Sequence, residues 1–148
     1  ITINSTSLFA SKVDEILAGE KPPPGIVFEI VEDEPEALEP AISWINQNII
    51  RLRKRFPEIE FAVVSHGPEL FALQKENRSQ FSQLHKTVQN LDRMNINVHI
   101  CETYAGWHDV SADQFPDYVN VAPTGPVQIN NYEALGYLRI RVVDAMNE

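Results

Sequence analysis

The reading of Ile26-Val27-Phe28-Glu29-Ile30-Val31, and of residues 34–56 behind it, decides the fold. The first run is mostly apolar and does not alternate strictly, which is the composition of a strand covered on both faces of a parallel sheet. From Glu34 to Phe56 the residues Leu38, Ile42, Ile45, Ile49 and Leu52 recur at helical spacing, so a long amphipathic helix is expected there. Pro35 suits its first turn, whereas Pro40 would kink it or delay its start. Acidic residues crowd its beginning and Arg51, Arg53, Lys54 and Arg55 its end, as the helix dipole favours, and Pro57 stops it.

Working outward, the alternation repeats. Phe61-Ala62-Val63-Val64-Ser65 reads as a second strand, with His66-Gly67-Pro68 as the turn beyond it. Residues 69–73 and 79–94 read as helix, interrupted near Asn77-Arg78. The short alternating run Ile96-Asn97-Val98-His99-Ile100-Cys101 is a third strand, and Glu102 to Gly106 reads as a loop. Residues 111–115 suit one helical turn, residues 118–122 a weaker strand, and residues 126–135 a last helix ended by Gly136. Residues 138–142 close the sheet or form its edge, with the arginines facing water. Strands alternating with helices predict a parallel sheet covered on both faces. Upstream, residues 1–20 suggest an amphipathic arm, with Ser5, Thr6 and Ser7 as caps and Leu8, Phe9, Val13, Ile16 and Leu17 near helical spacing. Residues 21–25, rich in proline, make a stiff linker. The arm is then mechanically separate from a single domain over residues 26–148, and packs on that domain or on a neighbouring subunit.

At 148 residues, 43% hydrophobic and 22% charged, the chain has material for one full core. No apolar run approaches the ~20 residues that span a bilayer. A formal net charge of −9 disfavours nucleic acid and anionic lipid as partners. The single cysteine cannot form an internal disulfide, so nothing marks the redox compartment. The chain opens on Ile1, which is consistent with a removed leader or a trimmed start, and both a cytoplasmic and a periplasmic location stay open.

That cysteine, Cys101, ends the third strand, and open parallel sheets bind ligands outside the carboxyl ends of their strands. His66 ends the second strand. If the two strands are neighbours, the side chains share a rim and the imidazole would raise the thiolate fraction. The plainer alternatives are that Cys101 fills the core and that His66 bonds its own turn. His99 and His108 flank Cys101, but their spacing matches no common zinc pattern, and His99 reads as a half-buried sheet residue. Tyr104 and Trp107 wall a pocket, meet a subunit or cap the core. Glu32-Asp33-Glu34 starts the next helix. No Gly-rich phosphate loop and no Gly-x-Ser-x-Gly elbow is present.

The order Ile26–Val31, Val63-Val64-Ser65-His66-Gly67-Pro68, Ile100-Cys101-Glu102-Thr103, Val121-Ala122-Pro123-Thr124-Gly125 and Glu133-Ala134-Leu135-Gly136-Tyr137 resembles the DsrE/DsrF-like family from about Gly25 to Ile140. The sequence departs from that pattern in the aromatic Tyr104–Asp109 segment and at Tyr132. The resemblance implies a three-layer α/β/α domain with a five-stranded parallel sheet, assembled into trimers or hexamers. It also implies a sulfur carrier: Cys101 would hold sulfur as a persulfide and exchange it with donor and acceptor proteins, with no metal or organic cofactor. In that reading His66, and the helix start after Gly67, stabilise the thiolate. Gly67, Thr103, Tyr104 and Trp107 are the expected substrate neighbours. A lone cysteine suits a relay better than a dithiol oxidoreductase, because the chain holds no resolving partner. Two other readings stand beside it: a non-catalytic oligomeric module that binds a small molecule or a protein, and a peroxide-sensing cysteine.

Overall fold

The computed structural model describes residues 11–147, so Ser5, Thr6, Ser7, Leu8 and Phe9 of the expected arm lie outside the described residues. Five strands, β1 (Gly25–Ile30), β2 (Glu60–Ser65), β3 (Asn97–Cys101), β4 (Asn120–Ala122) and β5 (Tyr137–Arg141), form one sheet in the order β4-β3-β2-β1-β5. Every pairing is parallel. Among the described residues there are six helices: α1 (Lys12–Ala18), α2 (Leu38–Arg55), α3 (Ser82–Arg93), α4 (Glu102–Trp107), α5 (Gly125–Ala134) and α6 (Val142–Met146). Short 3₁₀ turns at Pro35–Ala37, Pro68–Leu73, Lys75–Asn77 and Ala112–Gln114 complete the set. The fold is α/β with a five-stranded parallel sheet and helices on both faces, as the alternation of segments predicts.

β1 is buried at every position because it has a strand on each side and helices above and below. Its even residues Ile26, Phe28 and Ile30 enter the main core with Ile42, Ile45, Ile49 and Leu52 of α2 and Leu84, Val88 and Leu91 of α3. Each such side chain, fully buried, contributes about 1.5–3 kcal/mol relative to exposure. Its odd residue Val27 joins Ala62, Val64 and Ile129 of α5 in a smaller cluster on the opposite face. The two faces are therefore unequal, with α5 covering the second.

Several boundaries differ from expectation for local reasons. Pro35 opens a 3₁₀ turn, and α2 begins only at Leu38, so Pro40 falls in its first turn where no intrahelical N–H is needed. α3 starts at Ser82, after the turn over Lys75–Asn77. Tyr118 lies outside β4 and is buried instead, its hydroxyl 2.5 Å from His85 Nδ1. The described part of the arm packs on its own domain. Val13 is fully buried in the main core, and Arg51 and Arg55 of α2 bond Asp14 and the Gly19 carbonyl.

One carboxylate ties the rim of the sheet together. Glu69 is completely buried; it accepts hydrogen bonds from Ser65 Oγ at 2.5 Å, the Gly67 N–H at 3.0 Å and the Glu32 N–H at 2.5 Å. It thus joins the end of β2 to the loop leaving β1. Glu69→Ala orphans three buried or half-buried donors, and we expect a loss of about 3 kcal/mol in urea unfolding with the core otherwise intact.

Candidate functional site

Strand alternation sends Val27 and Glu29 of β1, Ala62 and Val64 of β2, and His99 and Cys101 of β3 to the face covered by α5. The interior of that face is apolar; its carboxyl-terminal rim is not. Val64 pairs in register with His99 and Ser65 with Ile100, so His66 leaves the sheet beside Cys101. Gly125, the first residue of α5, presses against both. A Cβ on Gly125 would stand 2.5 Å from His66 Cβ and 3.5 Å from Cys101 Cβ, a space only glycine can occupy without a shift.

Cys101 is 5% exposed and is the N-cap of α4: its Sγ accepts the Tyr104 N–H at 3.4 Å. The expected loop over Glu102–Gly106 is thus a helix, which places Tyr104 and Trp107 on it. Cysteine is not among the usual capping residues, so the sequence gives no warning of this helix start. The turn is held from the other side by Thr103, whose N–H and Oγ1 both donate to the Pro123 carbonyl, at 3.2 and 2.7 Å.

The imidazole of His66 turns to Glu29, with Nε2 2.8 Å from Oε2. Its hydrogen-bond partner is therefore this carboxylate, neither the thiol nor the turn. The other oxygen of Glu29 accepts from Arg139, Nη2 at 2.6 Å and Nε at 2.8 Å. Arg139 is paired with Val27 in the β1–β5 register and reaches along the face toward the rim. Both arginines of β5 are exposed, as expected, but Arg139 also pairs with Glu29, because a carboxylate only 3% exposed on an interior strand requires a cation. Burial pushes the Glu29 carboxyl upward, but hydrogen bonds from His66 and Arg139, with their charges, hold it below the ordinary glutamate range. Glu29 and Arg139 were not among the residues singled out in the sequence. The available signal was a single carboxylate inside an apolar strand, which must find a partner.

The remaining expected site residues are dispersed. Gly67 donates its N–H to Glu69, whose carboxylate already occupies the start of the 3₁₀ turn there. The helix start that touches Cys101 is that of α4, and the one expected after Gly67 is taken. Tyr104 is half-buried in an aromatic cluster, its ring centroid 5.9 Å from Phe71, 4.9 Å from His108 and 5.9 Å from Trp107. Trp107 stands out from the surface, 74% exposed. His99 is buried, with Nε2 2.7 Å from the Tyr132 hydroxyl, and burial pushes it toward the neutral form. Among the described residues, no group of three or more His, Cys, Asp or Glu side chains is arranged to hold a metal ion.

The chain matches no protein-family model and no curated protein. Its fold does match solved structures. MTH1491 from Methanobacterium thermoautotrophicum, described as a protein of unknown function, superposes with a TM-score of 0.64 at 19% identity, over 79% of this chain and 97% of that one. The YchN protein from E. coli gives 0.55 at 16% identity, over 78% and 97%. BT1422 from Bacteroides thetaiotaomicron, a conserved protein of unknown function, gives 0.50 at 10% identity, over 80% and 94%. At these identities the likeness concerns the fold alone, a five-stranded parallel α/β sheet of the DsrE-like arrangement seen in MTH1491 and YchN.

The lowered Glu29 value fixes the sign of a pH effect. A carboxyl held below its unfolded value of 4.5 stabilises the folded chain above that pH, and the contribution is lost as pH falls through the folded value. Glu29→Gln is expected to cost about 2 kcal/mol in urea unfolding at neutral pH. That difference between wild type and variant shrinks as the medium is acidified below the ordinary glutamate range.

Proposed function

We propose that this protein carries sulfur as a persulfide on Cys101 and passes it to a partner thiol. The observation that carries the reading is the setting of Cys101. Cys101 ends a parallel strand, its Sγ accepts a backbone N–H at a helix start, and its Cβ, like that of His66, lies close to Gly125, the first residue of α5. An N–H aimed at sulfur, and the positive ends of helices, suit a thiolate better than a thiol. DsrE-like folds of this kind, matched in the structural neighbours, are compatible with the reading suggested by the sequence resemblance.

In the step proposed, the Cys101 thiolate attacks the outer sulfur of a donor persulfide, R–S–SH. A new S–S bond forms as the old one breaks, the outer sulfur keeps its hydrogen, and the leaving thiolate R–S⁻ takes up the proton that Cys101 gave up on ionising, to give R–SH. Cys101–S–SH results, and an acceptor thiolate reverses the exchange. The sulfane sulfur moves with no net oxidation, so the exchange calls for no external oxidant. The exposed Val127 on α5 and Leu135 at its C-cap, 55% and 69% accessible, support assembly of the chain with copies of itself on the face that α5 covers.

The 5% exposure of Cys101 favours a second reading, in which the cysteine only packs and the protein is a binding module. The function then resides in the aromatic surface of Tyr104, Trp107 and His108.

Incubation of the folded protein with polysulfide, followed by intact-mass measurement, separates the two. The carrier gains the mass of one sulfur atom, loses it on treatment with a thiol, and gains nothing as Cys101→Ser. A thiol that takes up no sulfur until the chain is unfolded makes Cys101 structural and leaves the binding module.

A further inference from the structure

β5 is an outer strand of the sheet, and the groove along its free edge is basic in a chain of net charge −9. We propose that this edge receives an extended acidic segment of a partner protein as a sixth strand. The inference does not depend on what Cys101 does.

The ladder next door sets the direction of the main-chain groups. Glu60 and His66 donate to the Pro24 and Ile30 carbonyls, so the even-numbered residues of β1 face β2. Successive peptide groups of a strand point to opposite sides, which turns Gly25, Val27 and Glu29 toward β5. In the observed register those three lie opposite Tyr137, Arg139 and Arg141. A parallel ladder then runs through Leu138 and Ile140 of β5. The N–H groups of Tyr137, Arg139 and Arg141 are left on the open side, where they meet no backbone acceptor among the described residues. Burial agrees: Arg139 and Arg141 are exposed, whereas Ile140 is 1% exposed.

A groove of about 330 Å³ follows this edge, lined by Lys12, Arg139, Ile140, Arg141, Asp144 and Ala145. It touches three consecutive residues of β5, whose side chains point to alternate faces, so it runs along the edge and not over one face. Three cations line it against the single carboxylate of Asp144. Arg139 is paired with Glu29, but among the described residues Lys12 and Arg141 have no ion-pair partner. An added strand takes affinity from its main chain and specificity from its side chains. Acidic side chains on such a strand would meet the uncompensated charge while its carbonyls meet the open N–H groups. A second copy of the chain fits less well. Two β5 edges paired antiparallel about Arg139 or Ile140 set arginine opposite arginine, which is unfavourable. The same cations that select an acidic partner thus guard the edge against self-pairing.

The test titrates the intact chain into two labelled peptides, acetyl-Val-Glu-Val-Glu-Val-Glu-amide and its counterpart with lysine in place of glutamate. Binding is followed by fluorescence anisotropy, and amide hydrogen exchange by NMR. The acidic peptide is expected to bind and the lysine peptide to fail. Lys12→Gln and Arg141→Gln each weaken binding by about threefold. Arg141→Pro, which also removes an outward N–H while sparing the ladder to β1, weakens it further. In the free protein the Leu138 and Ile140 amides exchange slowly and those of Arg139 and Arg141 fast, and the acidic peptide slows the second pair. Binding of neither peptide, equal binding of both, or binding that leaves the Arg139 and Arg141 amides unprotected overturns the proposal. Protection of those amides that grows with protein concentration and needs no peptide places a second copy on the edge, and overturns it equally.

Discussion

A charge on an interior strand cannot be left alone. Glu29 sits where β1 is flanked by two strands and covered by helices, and an isolated carboxylate in such a place would cost several kcal/mol. Its satisfaction has to come from both sides, from His66 at the end of β2 and from Arg139 on β5. This requirement constrains the neighbours. Arg139 reaches the carboxylate only with β5 in its observed register on β1, and a slip of one residue would send its side chain to the other face. His66 reaches it only if the chain turns at the end of β2 as it does. Ion pairing here acts less as a source of stability than as a selector of register and rim geometry.

The rim contains a second buried carboxylate with a different solution. Glu69 is satisfied by a hydroxyl and two backbone N–H groups, without any cation. It belongs to the turn that follows β2, and it ties that turn to the acidic loop after β1. Its neighbourhood and that of Asp33 push Glu32 upward, with partial burial the larger cause. The two carboxylates bracket His66, one at its imidazole and one at the Ser65 hydroxyl and the Gly67 N–H on either side of it. The position of the imidazole is therefore set by main-chain and side-chain constraints together. Cys101, by contrast, is positioned by β3 and by the helix it caps.

Much of this was readable in residues 26–142. The apolar run of β1, the stripe of α2 and the alternating segments after it lead to the parallel α/β sheet, because burial on two faces and on one stripe leave different periodicities. Cys101 and His66 were legible as strand ends on one rim. What was not legible depends on partners distant in sequence. Nothing local to Glu29 names Arg139, which is 110 residues away. The helix at Glu102–Trp107 was missed because a sulfur replaces the usual capping oxygen. Tyr132, an oddity in the sequence, answers to a buried polar group on another element: its hydroxyl meets the imidazole of His99. Local propensity carries the elements, and the pairing of polar groups between elements appears only in three dimensions.

The 110-residue separation of Glu29 from Arg139 also bears on the order in which the chain can mature during synthesis. The β1–β4 portion emerges from the ribosome first, and it contains a complete apolar strand whose one carboxylate has His66 but not yet Arg139 as a partner. Until β5 is released, the seam beside β1 stays open and hydrated, and the nascent sheet has an unsheltered edge of the kind that invites pairing with other chains. Docking of β5 closes that edge and neutralises the charge in the same event. For this fold, the interval between the fourth and fifth strands is the stage at which a molecular chaperone would have most to protect.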